Sequence, residues 1–131
     1  MQSNSKHHYQ ILLSLFLLLN STNIFAQEEQ AIDVKEAYKY VVETKIVCGR
    51  IVSTKYLKRS SGGPIFLNFG RDYPNQQMTG LIWFGRFSQY FSYKPEKFLK
   101  RKNVCVKGYI SEFEGKTQME IRSEQQIKIR Q

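Results

Sequence analysis

The sequence predicts a mainly β protein, a small barrel of five strands with a short N-terminal helix. Three observations favour this fold class. The apolar residues change from a helical spacing to alternation at residue 44 and go on alternating in separate runs towards the end of the chain. Turn-forming stretches at 58–64 and 71–77 interrupt the alternation. Gly49 and Gly108 lie within two of the predicted strands, where a small barrel needs sharp bends.

The first 26 residues are typical of a secretory signal peptide. Lys6 precedes the apolar run ILLSLFLLL at 11–19, and Ala26 is a small residue suited to the position before a cleavage. This run of nine residues covers less than half of the roughly 20 needed to span a bilayer. We therefore expect cleavage near Ala26 and a secreted or periplasmic protein without a membrane span. An uncleaved anchor is the alternative.

Residues 27–131 are long enough for one domain and too short for two. Cleavage removes one of the 20 basic residues, Lys6, and none of the 11 acidic residues, which leaves a net charge of +8. It also removes His7 and His8, so the remaining chain lacks the commonest general base and metal ligand. The sequence therefore predicts a protein that is not an enzyme and that has no metal site and no cofactor.

The domain is expected to begin with a lead-in and one short helix at 27–43, followed by the barrel at 44–131. Asp33 is the predicted N-cap of the helix and Glu36 completes a capping pattern. The apolar positions at helical spacing are Val34, Ala37, Tyr38 and Val41. The predicted strands are 44–56, 65–70, 78–84, 104–113 and 116–123, with a closing extension at 125–129.

The connection between the third and fourth strands is long, irregular and rich in aromatic and basic residues. Pro95 can open a single helical turn there, at 95–100, because proline suits the first position of a helix. A long first strand and a partly helical insertion at this place match the five-stranded Greek-key barrel called the OB-fold. Another small open barrel is the alternative that composition leaves open.

Two stretches of the sequence also resemble a known family. Residues 47–83 and 93–129, and above all FLNFGRDYPNQ at 66–76 and GYISEFEGKTQMEI at 108–121, resemble small bacterial OB-fold domains of the tRNA-anticodon-binding and single-strand-binding type. The resemblance covers about residues 44–129 and implies a nucleic-acid-binding domain without catalysis of its own. Thr79-Gly80 departs from the plainer β-branched run expected there.

Basic and aromatic residues are interleaved where an OB-fold binds single strands, across its second and third strands and the adjoining loops. The candidates for nucleic-acid binding are Lys55, Tyr56, Lys58, Arg59, Phe66, Asn68, Arg71, Tyr73 and Arg86. Alternation does not decide whether Phe66 or Phe69 faces the core, and the sequence favours a core position for Trp83.

The leading functional hypothesis is an exported, non-catalytic OB-fold protein that binds single-stranded DNA or RNA with little sequence preference. The alternative is an exported module that binds a small ligand, an envelope polymer or a protein partner. Exposed rings at Tyr56, Phe66, Tyr73 and Trp83 on one basic face would favour the first hypothesis. The oligomeric state stays open.

Each of the two cysteines lies in a predicted strand that pairs with the other in an OB-fold. If Val47 faces inward then Cys48 faces outward, and if Val104 and Val106 face inward then Cys105 does too. Both cysteines would then lie on the same outer surface of an exported protein, in an oxidising compartment. We expect a disulfide, with two unpaired thiols as the alternative.

Overall fold

The computed structural model describes residues 29–131, and the predicted signal peptide at 1–26 lies outside them. The described residues form seven strands: β1 (Ile32–Asp33), β2 (Thr44–Tyr56), β3 (Pro64–Phe69), β4 (Met78–Trp83), β5 (Asn103–Phe113), β6 (Lys116–Glu120) and β7 (Ile127–Ile129). The five predicted strands are β2 to β6. The second, third and fifth end earlier than predicted, at Phe69, Trp83 and Glu120.

β2 to β6 close into a barrel in the order β2-β3-β4-β6-β5, with β5 returning to β2. The pairings are antiparallel except between β4 and β6, which run parallel. The 13 residues of β2 pair with β5 over their first half and with β3 over their second half, and a register irregularity between Ile51 and Ser53 marks the change. The predicted OB-fold is therefore confirmed.

The barrel interior is filled by alternating apolar side chains from all five strands. Phe69 is fully buried, whereas Phe66 lies half-buried on the other face of β3, which answers the question left open by alternation. The other large, fully buried side chains are Val47, Ile51, Ile65, Leu67, Met78, Ile82, Leu99, Val104, Ile110, Met119 and Ile121.

Two glycines are required by close packing. A Cβ atom on Gly49 would lie 2.5 Å from Val34 Cγ1, so the N-terminal helix can pack against β2 only because residue 49 has no side chain. A Cβ atom on Gly80 would lie 3.2 Å from the ring of Phe69 and 3.1 Å from Ile121. This explains why the sequence has glycine rather than a β-branched residue in β4.

The N-terminal helix is a 3₁₀ helix, Val34–Tyr40, and Asp33 caps it as predicted by accepting from the N–H of Lys35 at 2.9 Å. The sequence pattern placed Tyr38 on the buried face, and this was wrong. A 3₁₀ helix repeats every three residues, so Val34 and Ala37 are buried and Tyr38 is exposed.

The connection between β4 and β5 contains α1 (Phe84–Phe87), a 3₁₀ turn (Ser88–Tyr90) and α2 (Pro95–Phe98). Pro95 occupies the first turn of α2, as predicted. A further 3₁₀ turn, Glu124–Gln126, leads into β7. The predicted helical turn between the third and fourth strands is confirmed.

Cys48 and Cys105 form a disulfide between β2 and β5. The two residues face each other across the antiparallel pair, with their Cα atoms 4.0 Å apart. Val47, Val104 and Val106 are buried in the core, so the disulfide lies on the opposite face of the pair. The predicted cross-strand disulfide is confirmed.

Candidate functional site

A cleft of about 670 Å³ lies on the outer face of the barrel where β2, β3, β4 and β6 run side by side. The loop between β3 and β4 and the turn between β5 and β6 border it. Its lining residues are Ser53, Thr54, Lys55, Leu57, Phe66, Asn68, Asp72, Tyr73, Pro74, Gln76, Thr79, Phe113, Glu114, Lys116 and Gln118.

The strand register builds the floor of the cleft. Ser53 pairs with Asn68, Asn68 with Thr79 and Thr79 with Gln118, which sets one polar row across four strands. Two positions along β2, Lys55 pairs with Phe66. Because side chains two residues apart share a face of a strand, both rows lie on the same surface, opposite the core.

The polar row is held by hydrogen bonds. The buried amide of Asn68 donates from Nδ2 to Ser53 Oγ at 3.0 Å, and the Ser53 hydroxyl donates in turn to Asp72 Oδ1. Gln76 Nε2 donates to the hydroxyl of buried Thr79 at 3.0 Å. These bonds tie the β3–β4 loop to the sheet, so the floor is preorganised.

Asp72 is the charged group that this network orients. The hydrogen bond from Ser53, the backbone N–H of Tyr73 at 2.8 Å and the positive charge of Lys100 hold the pKa of the Asp72 carboxyl below its ordinary value. The carboxylate is therefore ionised at neutral pH and is fixed at the edge of the cleft.

Three aromatic side chains, which we call the cleft rings, surround this floor: Phe66, Tyr73 and Phe113. Tyr73 is 73% exposed and Phe113 is 60% exposed, while Phe66 is half-buried. None of them belongs to an aromatic pair within residues 29–131. Each cleft ring therefore presents surface that no other ring covers.

The charges that line the cleft balance one another. Lys55 and Lys116 contribute two positive charges, and Asp72 and Glu114 contribute two negative ones. Neither lysine forms a salt bridge with an acidic residue in the described part of the chain. Lys116 donates from Nζ to the carbonyl of Pro74 at 2.9 Å, which links the two loops that border the cleft.

Four of the nine candidate residues from the sequence line the cleft: Lys55, Phe66, Asn68 and Tyr73. Tyr56 lies apart from it, because its side chain points to the other face of β2 and packs edge-on against Phe84 at 5.7 Å. The remaining four candidates, all exposed and outside the cleft lining, are Lys58, Arg59, Arg71 and Arg86.

Arg86 and Trp83 have partners elsewhere. The guanidinium of Arg86 lies over the ring of Phe87, 5.2 Å from its centroid. Trp83 is half-buried and packs against Gly62, where a Cβ atom would lie 2.8 Å from the indole. Of the four rings whose exposure was expected to mark a binding face, Phe66 and Tyr73 therefore lie in the cleft, whereas Tyr56 and Trp83 do not.

The last hairpin adds cleft residues that sequence reasoning missed, namely Phe113, Glu114, Lys116 and Gln118. The sequence pattern did not predict which strand lies beside the third. In the structure β6 pairs with β4 in parallel, which places Gln118 opposite Thr79.

Within residues 29–131 no group of three or more His, Cys, Asp or Glu side chains lies close enough together to hold a metal ion. In the same part of the chain, no helix has the length and apolar character needed to cross a membrane. The cleft presents rings, amides, hydroxyls and two ammonium groups, which suit binding by stacking and hydrogen bonding.

No protein-family model matches the sequence, and no curated protein matches it. Among solved structures, similar chains include a "putative aspartyl-tRNA synthetase" from Leishmania major Friedlin, with a TM-score of 0.49 and 12% identity over 82% of this chain and 22% of the synthetase. Another is the aspartyl tRNA synthetase of Entamoeba histolytica, with a TM-score of 0.49 and 13% identity over 84% of this chain and 23% of the synthetase. The chain spans less than a quarter of either protein, and a likeness of this size says nothing about what it binds.

Proposed function

We propose that this protein binds single-stranded nucleic acid in the cleft and catalyses no reaction of its own. The observation that carries the proposal is the set of three cleft rings without ring partners above an ordered polar floor. An OB-fold uses this part of its surface, the second and third barrel strands with the adjoining loops, to bind oligonucleotides.

The cleft rings favour single strands over duplexes. Bases of a single strand are free to stack on aromatic side chains, and each such contact is worth roughly 1–3 kcal/mol. Bases of a duplex are stacked on one another and paired, so they cannot lie against Phe66, Tyr73 and Phe113 without being pulled out of the helix. The proposed ligand is therefore a short run of unpaired nucleotides.

Lysine and arginine side chains would contact the phosphates. Lys55 and Lys116 lie in the cleft, and exposed Arg71 lies next to Asp72 in the bordering loop. The whole chain carries a net charge of +9, which attracts polyanions over a longer range. Since the cleft lining is itself neutral, we expect few phosphate contacts and a modest dependence of affinity on salt.

We further propose that the protein acts outside the cytoplasm. The predicted signal peptide at 1–26 supports export. The Cys48–Cys105 disulfide supports an oxidising compartment, because disulfides persist in secreted and periplasmic proteins and are rare in the cytosol.

The second candidate is an exported module that binds a small ligand, an envelope polymer or a protein partner. The volume and charge of the cleft favour it specifically: about 670 Å³ lies within the usual range for small-molecule sites, and the lining carries no net charge. On this hypothesis the protein would bind single strands no better than other polyanions.

Fluorescence anisotropy with labelled oligonucleotides separates the two candidates. We expect the purified protein to bind single-stranded DNA or RNA at low salt more tightly than duplex DNA or heparin. The log–log slope of affinity against salt should be about −0.7 for each phosphate neutralised. Equal binding of single strand, duplex and heparin, or no binding at low salt, would leave the second candidate ahead.

Matched lysine variants show where the phosphates lie. Lys55→Ala and Lys116→Ala should each make the salt slope shallower by about 0.7. Lys128→Ala removes the same charge from β7, where residue 128 pairs with Cys105 outside the cleft, and should leave the slope nearly unchanged. A slope that responds equally to all three changes would argue for diffuse attraction to the whole surface.

A further inference from the structure

Asp72 carries an inference that goes beyond binding of single strands and rests on that proposed function. A carboxylate is an unexpected group in a site for polyanions, because it repels phosphates. No lysine or arginine of the described residues lies within salt-bridge distance of it. Yet the Asn68–Ser53–Asp72 chain of hydrogen bonds fixes its position in the cleft.

The two oxygens of this carboxylate differ. Oδ1 accepts from the Ser53 hydroxyl and from the N–H of Tyr73, whereas no donor among residues 29–131 bonds to Oδ2. Because Asp72 is exposed and lines the cleft, Oδ2 is open to a hydrogen-bond donor from a ligand.

We propose that Asp72 makes the cleft select guanine among the bases of a single strand. Single-stranded bases expose their Watson–Crick edges to a protein. On guanine this edge has two adjacent donors, N1–H and the N2 amino group, and both are suited to the carboxylate of Asp72. Thymine and uracil offer a single N3–H between two carbonyl oxygens, which the carboxylate repels. Adenine and cytosine place a ring acceptor beside their one amino group.

This inference replaces the expected lack of sequence preference with a preference at one base. Tyr73 follows Asp72 directly and is largely exposed, so a base that stacks on its ring lies beside the carboxylate. A well-placed pair of hydrogen bonds to a base is worth a discrimination of about 5- to 150-fold.

The test uses thymidine heptamers whose central base is varied. We expect guanine at the centre to bind at least about fivefold more tightly than thymine. Inosine, which lacks the N2 amino group, should lose part of this gain. A 7-deazaguanine, which keeps the Watson–Crick edge, should retain all of it.

Two variants test the role of the carboxylate. In Asp72→Asn, an amide oxygen that keeps the bonds from Ser53 and Tyr73 leaves the NH₂ group in the place of Oδ2. This group is a donor and cannot accept from guanine, so the variant should lose the preference for guanine. Glu114→Gln removes one negative charge from the same cleft, so it should raise affinity for all heptamers and keep the preference. Ser53→Ala leaves the charge of Asp72 in place but releases its orientation, and should weaken the preference.

The outcomes separate this inference from the proposed function. If the wild-type protein binds guanine and thymine heptamers equally, or if Asp72→Asn and Glu114→Gln behave alike, the inference fails and binding of single strands stands. If Asp72 only holds the β3–β4 loop against β2, Asp72→Asn should change the affinity for every heptamer by the same factor. This result would also overturn the inference. Absence of binding to all heptamers overturns the proposed function and the inference together.

Discussion

Aromatic rings in the segment between β4 and β5 differ from the cleft rings in what they touch. Phe84, Phe91, Tyr93 and Phe98, which we call the insertion rings, form a continuous chain, with centroid distances of 6.2, 6.1 and 4.4 Å between successive rings. The cleft rings belong to no aromatic pair in the described residues. Both sets lie close to lysines, so composition alone does not distinguish them.

The surroundings of Tyr93 show that this insertion ring packs within the protein. Burial, assisted by the negative charge of Glu124, raises the pKa of Tyr93 to about 12. Ser92 donates to Glu124 Oε2 from both its hydroxyl and its N–H, at 2.8 and 3.3 Å, which fixes this segment to the chain after β6. The partners of a ring therefore distinguish the insertion rings from the cleft rings, whereas residue type and neighbours in sequence do not.

The largest expected effect is on stability, at Phe91. Its side chain is buried among the insertion rings, so Phe91→Ala should lower the free energy of unfolding by about 3–5 kcal/mol. Tyr73→Ala, at an exposed ring, should change it by no more than about 0.5 kcal/mol. Urea unfolding measures both values, and similar losses in the two variants would remove the distinction between the two sets.

Removal of the disulfide should lower the stability of the barrel, which carries both the cleft rings and the insertion rings. Cys48 and Cys105 are 57 residues apart, and the chain-entropy model assigns a loop of this size about 4 kcal/mol. The double variant Cys48→Ala/Cys105→Ala should therefore lose up to about 4 kcal/mol in urea unfolding and should still bind while folded. Alkylation of two thiols in folded wild-type protein purified without reductant would contradict the disulfide itself.

Binding should depend on the cleft rings and should not depend on an exposed ring elsewhere on the barrel. Tyr73→Ala and Phe113→Ala should each weaken binding of a single strand by roughly 1–3 kcal/mol with the salt slope nearly unchanged. Tyr109, 54% exposed on β5 and outside the cleft lining, provides the matched control, and Tyr109→Ala should bind like the wild type. If Tyr73→Ala and Tyr109→Ala lowered the affinity equally in anisotropy titrations, exposed tyrosines would contribute to binding wherever they lie, and the cleft would not be the binding site.

The smallest expected effect is a dependence of stability on pH at Asp72. Its pKa is lower in the folded protein than the ordinary value of 3.8, chiefly because of the Ser53 hydrogen bond. The unfolded chain therefore takes up the proton first, and the stabilisation is present above pH 3.8 and lost as the pH falls below it. The melting temperature of Asp72→Asn should lie slightly below that of the wild type at pH 7, and the two should converge below the folded-state pKa.

Much of the fold could be predicted from the sequence because alternation and turn residues fix strands locally. The shared face of Cys48 and Cys105 followed from the same alternation, since Val47 and Val104 had to face the core, whereas their direct pairing is seen only in the structure. The 3₁₀ character of the N-terminal helix was not predicted. Val34, the first residue of this helix, lies against Gly49 of β2, a tertiary contact that the local sequence pattern does not encode.

The candidate site was harder to predict, for two physical reasons. First, alternation places Lys55 and Tyr56 on opposite faces of β2, but it does not show which of them faces the core. The irregularity between Ile51 and Ser53 puts these two residues on opposite faces, although they are two positions apart. Second, Phe113 and Lys116 reach the cleft through the pairing of distant strands, which no local pattern encodes. The sequence did predict four residues that line the cleft, because β3 and the segments next to it border the cleft directly. They are Lys55, Phe66, Asn68 and Tyr73.

Photo-crosslinking tests most directly the central claim that the cleft rings contact unpaired bases. A single-stranded oligonucleotide with 5-iodouracil at successive positions would be irradiated with the wild-type protein, and the crosslinked peptides would be mapped by mass spectrometry. We expect crosslinks at Tyr73, Phe113 or Phe66. Crosslinks confined to exposed rings elsewhere, such as Tyr38 and Tyr109, would contradict it, as would saturable binding that leaves the cleft rings unmodified.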